Sequence, residues 1–426
     1  MRRPRPSRPD PSSPQARDVE LSIERVAPQG DGVASGPVYA PFTLPGERVQ
    51  ARAVGDRAEL VSVLEASPDR VGPPCPHFGA CGGCALQHWA HAPYLAWKVE
   101  QIRVMLARER LETEFAAPFA VGPGVRRRLA LHARRQGGRT IVGFKARKTW
   151  DVVEVNECVI ADPRLVAALP ALARFATPLF QNPKSAPILH VTWTDDGLDV
   201  DVTGVEAKSG GLSADARVKL ADAAAEGNFV RASLAGEMLF QARRPTVRFG
   251  SVRVALPPGG FLQAVPAAEE AMAVFVMEAV AGADRVADLF CGSGAFTFRL
   301  AERASVTALD SSALAVALLR EAIAAAPGLK QIDAQARDLD RRPLLAMEMK
   351  KLDAVVFDPP RAGAYEQASQ IAASGVSRAV GVSCNPATFV RDARVLADAG
   401  FRLTRLLPVD QFLWSPHIEL VGVFER

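Results

Sequence analysis

The sequence predicts an α/β protein in three folded parts, ending in a doubly wound α/β domain over residues 266–426. That prediction rests first on the texture after about residue 270, where strand-like and helix-like runs alternate. AEEAMAVFVMEAVA reads as a helix, and RVADLF as a buried strand running into CGSGAFTFRLA, a glycine loop that opens a helix. SVTALD, LDAVVFDPP and SRAVGVSC read as further strands, and SALAVALLREAIAAA and NPATFVRDARVLADAG as helices. FRLTRLLPVD and HIELVGVFE close the chain as terminal strands. A second pattern lies in residues 18–68, where LSIERVAPQGDGVASG, LPGERVQARAV and RAELVSVLEA alternate apolar and polar residues between glycine turns. Short strands in that rhythm make a small β-barrel. Residues 69–265 form a central α+β region. Its helix, over about 93–112 in PYLAWKVEQIRVMLARERL, is expected to pack on the C-terminal domain, and β signals follow from about 126 to 262.

Length agrees with this division, since 426 residues exceed one ordinary core. The opening MRRPRPSRPDPSSPQAR is cationic but lacks the apolar stretch of a targeting peptide, and its prolines oppose a transit helix. Residues 1–17 therefore read as a disordered basic arm. No apolar run is long enough to span a bilayer, so no membrane association is expected and the expected compartment is the cytoplasm. The net charge of +4 permits a polyanionic partner without requiring one. Its distribution says more: between Arg126 and Lys148 lie seven arginines and two lysines, with no acid. Such a block is often only a solvated face. Here RRRLALHARRQGGRTIVGF reads as a hairpin turning at Gly137-Gly138, which would concentrate the cations on one small element suited to phosphates.

Six cysteines fall in two groups. Cys75, Cys81 and Cys84 stand close together in CPHFGACGGC, with Cys158 in VNECVI further on. In a reducing compartment such a trio is a metal site more often than a disulfide set. Zinc favours paired C-x2-C knuckles or histidine partners, whereas three close thiolates and one distant one suit a cubane iron–sulfur cluster. The glycines let the chain wrap tightly and aim N–H groups at sulfur. Cys158 is the natural fourth ligand; zinc and a trio of buried thiols are the alternatives.

Four chemically suggestive groups fall at the carboxyl ends of strands, where doubly wound domains bind ligands. They are the loop Gly292-Ser293-Gly294, Asp310, Asp358 and Cys384. The loop has neither the Lys of a P-loop nor a full G-x-G-x-x-G pattern. Asp288 precedes it, and Asp310, 22 residues beyond Asp288, is placed to meet ribose hydroxyls. An acid ahead of the glycines suits a ligand with an ammonium group better than a pyrophosphate. S-adenosyl-L-methionine is such a ligand.

The motifs FLQA (261–264), DLFCGSGAFT, FDPPRAG, VSCNPATFVRD and HIELVGVF occur in that order. In them the chain, over residues 18–426, resembles the RNA 5-methyluridine (uracil-C5) methyltransferases, which include bacterial enzymes of transfer RNA and of 23S ribosomal RNA. The resemblance implies a class I, Rossmann-like S-adenosylmethionine methyltransferase domain, an OB-like TRAM module at 18–68 and a [4Fe-4S] segment at the cysteine trio. It also implies RNA as the partner. Carbon 5 of uracil is a poor nucleophile; thiolate attack on carbon 6 turns the ring into an enolate that is reactive at carbon 5. Cys384 is the expected nucleophile, with the helix beginning at Asn385-Pro386 expected to favour its thiolate. The resemblance places the proton acceptor at Glu419, a carboxylate inside an apolar strand. It places Gln263, Phe290, Asp310 and Asp358 around the cofactor, with Asp338 a further candidate for the adenine. Cys291 reads as small packing in the cofactor loop.

Two departures from the family pattern stand out. Leu262 and Val265 occupy positions where the family carries an aromatic and an asparagine (FFQ-x-N), and Ala295 replaces the asparagine of G-x-G-N. An RNA cytosine-C5 methyltransferase would carry a second cysteine in the catalytic region beside a Pro-Cys motif, where this chain has DPPR with no cysteine nearby. An inactive RNA-binding scaffold is opposed by the intact Cys384, Glu419 and Asp310. The cysteine trio favours 23S rRNA over tRNA within the family, and a monomer is expected of a chain that brings its own RNA-binding module.

Overall fold

The computed structural model describes residues 16–208 and 211–426. The expected arm over 1–17 lies outside the described residues apart from its last two, and Arg17 already opens the first strand. Two compact units are formed. One comprises the described residues up to Gly79 with Cys84–Ala96 and Trp414–Pro416; the other comprises Ala80–Gly83, Trp97–Leu413 and His417–Arg426.

In the first unit, β1 (Arg17–Val26), β2 (Asp31–Ala34), β3 (Val38–Pro41), β4 (Arg48–Val54) and β5 (Arg57–Glu65) close a barrel in the order β1-β2-β3-β5-β4. Alternate residues of β4, Val49, Ala51 and Ala53, point inward and meet Ile23, Ala34, Ala40 and Ala58. Small side chains let five strands close tightly, and closure leaves no open edge.

The second unit takes in the helix His91–Arg108 from Trp97 onward, followed by the short strands β6 (Glu114–Phe115) and β7 (Phe119–Ala120). A seven-stranded sheet follows from β8 (Arg128–Gln136), β9 (Arg139–Lys145), β10 (Val152–Glu154), β11 (Ile188–Thr194), β12 (Gly197–Thr203), β13 (Phe229–Leu234) and β14 (Glu237–Gln241). Its order is β10-β9-β8-β11-β12-β13-β14. Helices Leu169–Ala176 and Ala214–Glu226 bury Leu172, Phe175 and Leu220 in its core, where the Phe175 and Phe229 rings lie 5.3 Å apart. The cationic run forms the β8–β9 hairpin, which turns at Gly137 and Gly138 with φ of 57° and 82°. Both angles favour glycine and match a tight hairpin turn.

After the hairpin β15 (Thr246–Phe249) and β16 (Val252–Ala255) comes the helix Pro266–Ala279. The C-terminal sheet then adds β17 (Arg285–Leu289), β18 (Ser305–Asp310), β19 (Ile332–Ala336), β20 (Ala354–Phe357), β21 (Arg378–Ser383), β22 (Arg402–Asp410) and β23 (Glu419–Glu425). The order is β19-β18-β17-β20-β21-β23-β22-β6, with β7 also on β22. From β19 to β21 all neighbours are parallel, while β23 runs antiparallel between β21 and β22. Strand order reverses between β17 and β20, which opens a crevice at their carboxyl ends.

Two elements go beyond the sequence expectations. The edge strand β19 buries only Ala334 of its five residues, so it shows little apolar pattern. The helix Tyr365–Ala373 is short and buries Gln367, Ala368 and Ile371.

Candidate active site

The antiparallel β23 explains how residues far apart in sequence reach one edge of the sheet. Ser383 pairs with Leu420. The next residues outward are Cys384 and Glu419, where β21 ends and β23 begins. Both line a cavity of about 760 Å³ at the switch point. Gln263, Phe290, Asp310, Asp338 and Asp358 line the same cavity, so the structure gathers all seven expected catalytic and cofactor residues.

The cofactor side is built by the loop after β17. Phe290, Gly292 and Gly294 take φ of 61°, 53° and 97°. A side chain at Gly294 would meet the Phe298 ring at 2.7 Å, so glycine is required twice over there. Phe290 holds a left-handed conformation without being glycine, a strain found where a site fixes the backbone. Asp310 fastens two loops, accepting from the Gly292 N–H at 2.9 Å and the Ser312 N–H at 2.7 Å. Asp338 accepts from the N–H groups of Asp340 and Arg341 in the same way.

Asp288 lies at the strand end ahead of the glycines, as the sequence places it. It is fully buried behind the loop, where Thr297 Oγ1 donates to one oxygen and the other has no hydrogen-bond partner. Burial pushes its carboxyl up to about 7, with Asp358 and Asp310 adding to the rise. It does not line the cavity. An orphaned carboxylate oxygen beneath a loop rimmed by further carboxylates suits a cationic ligand such as S-adenosylmethionine.

On the opposite side a chain of amides links the acids. Gln411 Nε2 donates to Glu419 Oε1 at 3.0 Å and to Gln263 Oε1 at 2.6 Å, and Gln263 Nε2 reaches Asp358 Oδ2 at 3.4 Å. Glu419 is 3% exposed, and burial raises its carboxyl to about 8, helped by the Asp358 charge and opposed by Gln411 and Arg361. Asp358, at the floor of the cavity, is pushed by burial to about 7. Neither acid carries a full charge at neutral pH.

Cys384 is half-buried. Asn385 caps the following helix by accepting from the Ala387 N–H, and Pro386 fills its first position. The surroundings act against the thiolate that this helix start was expected to favour. Burial raises the thiol, the charges of Glu419 and Asp358 raise it further, and only the Arg361 guanidinium opposes them. Asn385 Nδ2 donates to the Arg361 carbonyl at 3.0 Å, which holds the Asp358–Arg361 loop beside the thiol.

Gln411 and Arg361 gained no role from the sequence. A glutamine just past a strand has no local signature, and an arginine in a loop has none either. Lys98 was equally invisible. Its ammonium, fully buried, donates to Asp410 Oδ1 at 2.6 Å, the Phe412 carbonyl at 3.2 Å and the His417 carbonyl at 2.6 Å. It thereby ties together the residues flanking Gln411 and Glu419. Replacing Lys98 with methionine leaves the Asp410 carboxylate buried without its cation. The expected loss is about 3–5 kcal/mol of stability, read by chemical denaturation, with Lys98→Met plus Asp410→Leu recovering part of it.

At the mouth, the Arg128 guanidinium lies over the Phe261 ring at 5.2 Å and Arg126 over Phe412 at 5.7 Å. Val265 caps the helix Pro266–Ala279 without a side-chain bond, so its departure from asparagine removes a helix cap. Ala295 lines the cavity with no polar side chain to offer.

Cys75 and Cys84 belong to the first unit, Cys81 and Cys158 to the second, and all four are half-buried. The Gly83 N–H points at Cys81 Sγ at 3.4 Å, as a thiolate ligand prefers. Among the described residues no three Cys, His, Asp or Glu side chains are gathered as a metal site. The donor chemistry of four thiols fits a cluster.

Residues 251–426 match the model of the tRNA (uracil-5-)-methyltransferase family. A protein of Caulobacter vibrioides named only as an RNA methyltransferase is 59% identical over 96% of this chain and 100% of its own length. The chain belongs to this family of RNA methyltransferases. A second relative, the 23S rRNA (uracil(1939)-C(5))-methyltransferase of Acidithiobacillus ferrooxidans, is 34% identical over 99% of this chain and 100% of its own. The fold is shared with the Pyrococcus abyssi tRNA (uracil-54, C5)-methyltransferase solved with S-adenosyl-L-homocysteine. That likeness has a TM-score of 0.73 at 22% identity over 95% of this chain and 99% of the other. Among the described residues no helix is long and apolar enough to cross a membrane.

Proposed function

We propose that the chain methylates carbon 5 of a uridine in 23S rRNA, with S-adenosylmethionine as methyl donor. The observation that carries this reading is the convergence of Cys384 and Glu419 on one cavity with the glycine loop, Asp310 and Asp358. Bound S-adenosylmethionine supplies an electrophilic methyl group on a sulfonium centre. Phe290, Asp310, Asp338, Gln263 and Asp358 hold and orient it. Cys384 Sγ forms a bond to uracil carbon 6 as the 5,6 double bond gives its electrons to the ring carbonyl. The enolate electrons at carbon 5 then take the methyl group, the sulfonium keeping the electrons of the broken bond and leaving as S-adenosylhomocysteine; Glu419 takes the carbon 5 proton, and elimination restores the double bond and releases the Cys384 thiolate. The uridine must leave its stack to reach Cys384, which is cheapest in an RNA loop or single strand.

The choice of 23S rRNA draws support from the Acidithiobacillus relative and from the cysteine trio. The names of the matching family and of the Pyrococcus enzyme favour tRNA as the second reading. We further propose that Cys75, Cys81, Cys84 and Cys158 carry a [4Fe-4S] cluster with a structural or RNA-positioning role, in a cytoplasmic monomer. Purified protein with labelled S-adenosylmethionine and separate rRNA and tRNA pools, followed by nucleoside analysis, tests the substrate. Label in 5-methyluridine from rRNA supports the first reading; label from tRNA replaces it with the second. Iron and sulfide counts on anaerobically prepared protein test the cluster, and zinc in their place refutes it.

A further inference from the structure

Trp150 is the most exposed large apolar side chain among the described residues, at 81%. Its backbone is nonetheless tied down. Residues 146–151 turn the chain from β9 into β10, and the Ala146 N–H donates to the Asp151 carbonyl at 2.8 Å. Within the turn the Asp151 N–H donates to Thr149 Oγ1 at 3.1 Å. Arg134, on β8, donates to the Trp150 carbonyl at 3.1 Å. An anchored turn thus holds an indole out in water, with the Lys145 ammonium 3.7 Å from its ring centroid.

The surroundings are strongly cationic. From Arg126 to Glu154 nine cations face only Asp151 and Glu154 among acids. Arg139 pairs with Glu154 and Arg134 with Asp151, while Arg134, Arg135, Arg139 and Lys148 all remain exposed. A flat ring that packs against no core, fixed at its backbone and set in a cationic ribbon, has the makeup of a surface for single-stranded nucleic acid. Bases of any kind stack on such a ring, and their phosphates meet the cations. An acid-poor ribbon favours RNA over a protein partner.

We propose that Trp150 is a stacking platform for an unpaired base of the RNA substrate outside the catalytic cavity, with Lys145, Lys148 and Arg134 meeting the neighbouring phosphates. This inference rests on the RNA methyltransferase reading. Its test is steady-state methylation of whichever RNA pool the wild-type protein labels, at saturating S-adenosylmethionine. The proteins compared are wild type, Trp150→Ala, Trp150→Phe and the control Met347→Ala, whose side chain is 67% exposed elsewhere. Trp150→Ala is expected to raise KM for RNA by about 5- to 100-fold with little change in kcat. Trp150→Phe should keep most of the affinity, and Met347→Ala all of it. An unchanged KM in Trp150→Ala, with wild type still methylating RNA, overturns the platform alone and leaves a protein contact as the reason for the exposed ring. Absence of methylation by wild type in both pools overturns the platform together with the reading it rests on.

Discussion

Cys384→Ala is expected to lower RNA methylation by at least about 10⁴-fold, because no other group can raise the electron density of uracil carbon 5. Cys291 cannot substitute. It is 7% exposed, and burial with the Asp288 and Asp310 charges holds its thiol well above its ordinary value. Alanine at 384 removes only a sulfur from a half-buried position, so folding and cofactor binding should persist. Equilibrium binding of S-adenosylmethionine to the variant checks that the loss is chemical. Retention of even a tenth of wild-type activity would remove Cys384 from the reaction.

Glu419→Gln is expected to stop the cycle later. Attack by Cys384 and methyl transfer need no carboxylate at 419, whereas removal of the carbon 5 proton does. Turnover should fall on the order of 10²- to 10⁴-fold, with a methylated RNA–protein adduct building up toward one per molecule, visible on a denaturing gel. The wild-type pH profile follows from the same residue. Glu419 works only when ionised, and its carboxyl is raised to about 8. At pH 7 only about a tenth is ionised in the free protein, so activity should climb through about pH 8. The raised Cys384 thiol acts in the same direction, because it too works deprotonated. A profile that is flat between neutral and alkaline pH would contradict both assignments. Full turnover by Glu419→Gln would transfer the base role to another group.

Strands β17, β18, β20 and β21 of the parallel half were readable because each carries a short apolar run, as in AVVF before Asp358, followed by a turn and a helix, whereas the edge strand β19 was not. The ends of those strands carry Asp310, Asp358 and Cys384, so simple alternation already pointed at the cavity. Glu419 could be placed only through the family resemblance. Its position beside Cys384 comes from the antiparallel insertion of β23, which no local pattern announces. Gln411 and Lys98 were unreadable for a related reason. Gln411 meets Gln263 across 148 residues and Lys98 meets Asp410 across 312, and such partners are created by the fold rather than by neighbouring sequence. The thiol of Cys384 shows the same limit, since its helix start is visible in CNP but the burial and charges that raise the thiol are not.

The most direct measurement uses RNA in which uridine is replaced by 5-fluorouridine. Fluorine at carbon 5 leaves no proton for Glu419 to remove, so the reaction should halt with Cys384 bonded to carbon 6. Incubation with S-adenosylmethionine, nuclease digestion and peptide mass analysis should find the methylated fluorouridine on the peptide containing Cys384, and none without the methyl donor. Attachment at another residue, or no adduct from a preparation that methylates ordinary RNA, would contradict covalent catalysis by Cys384.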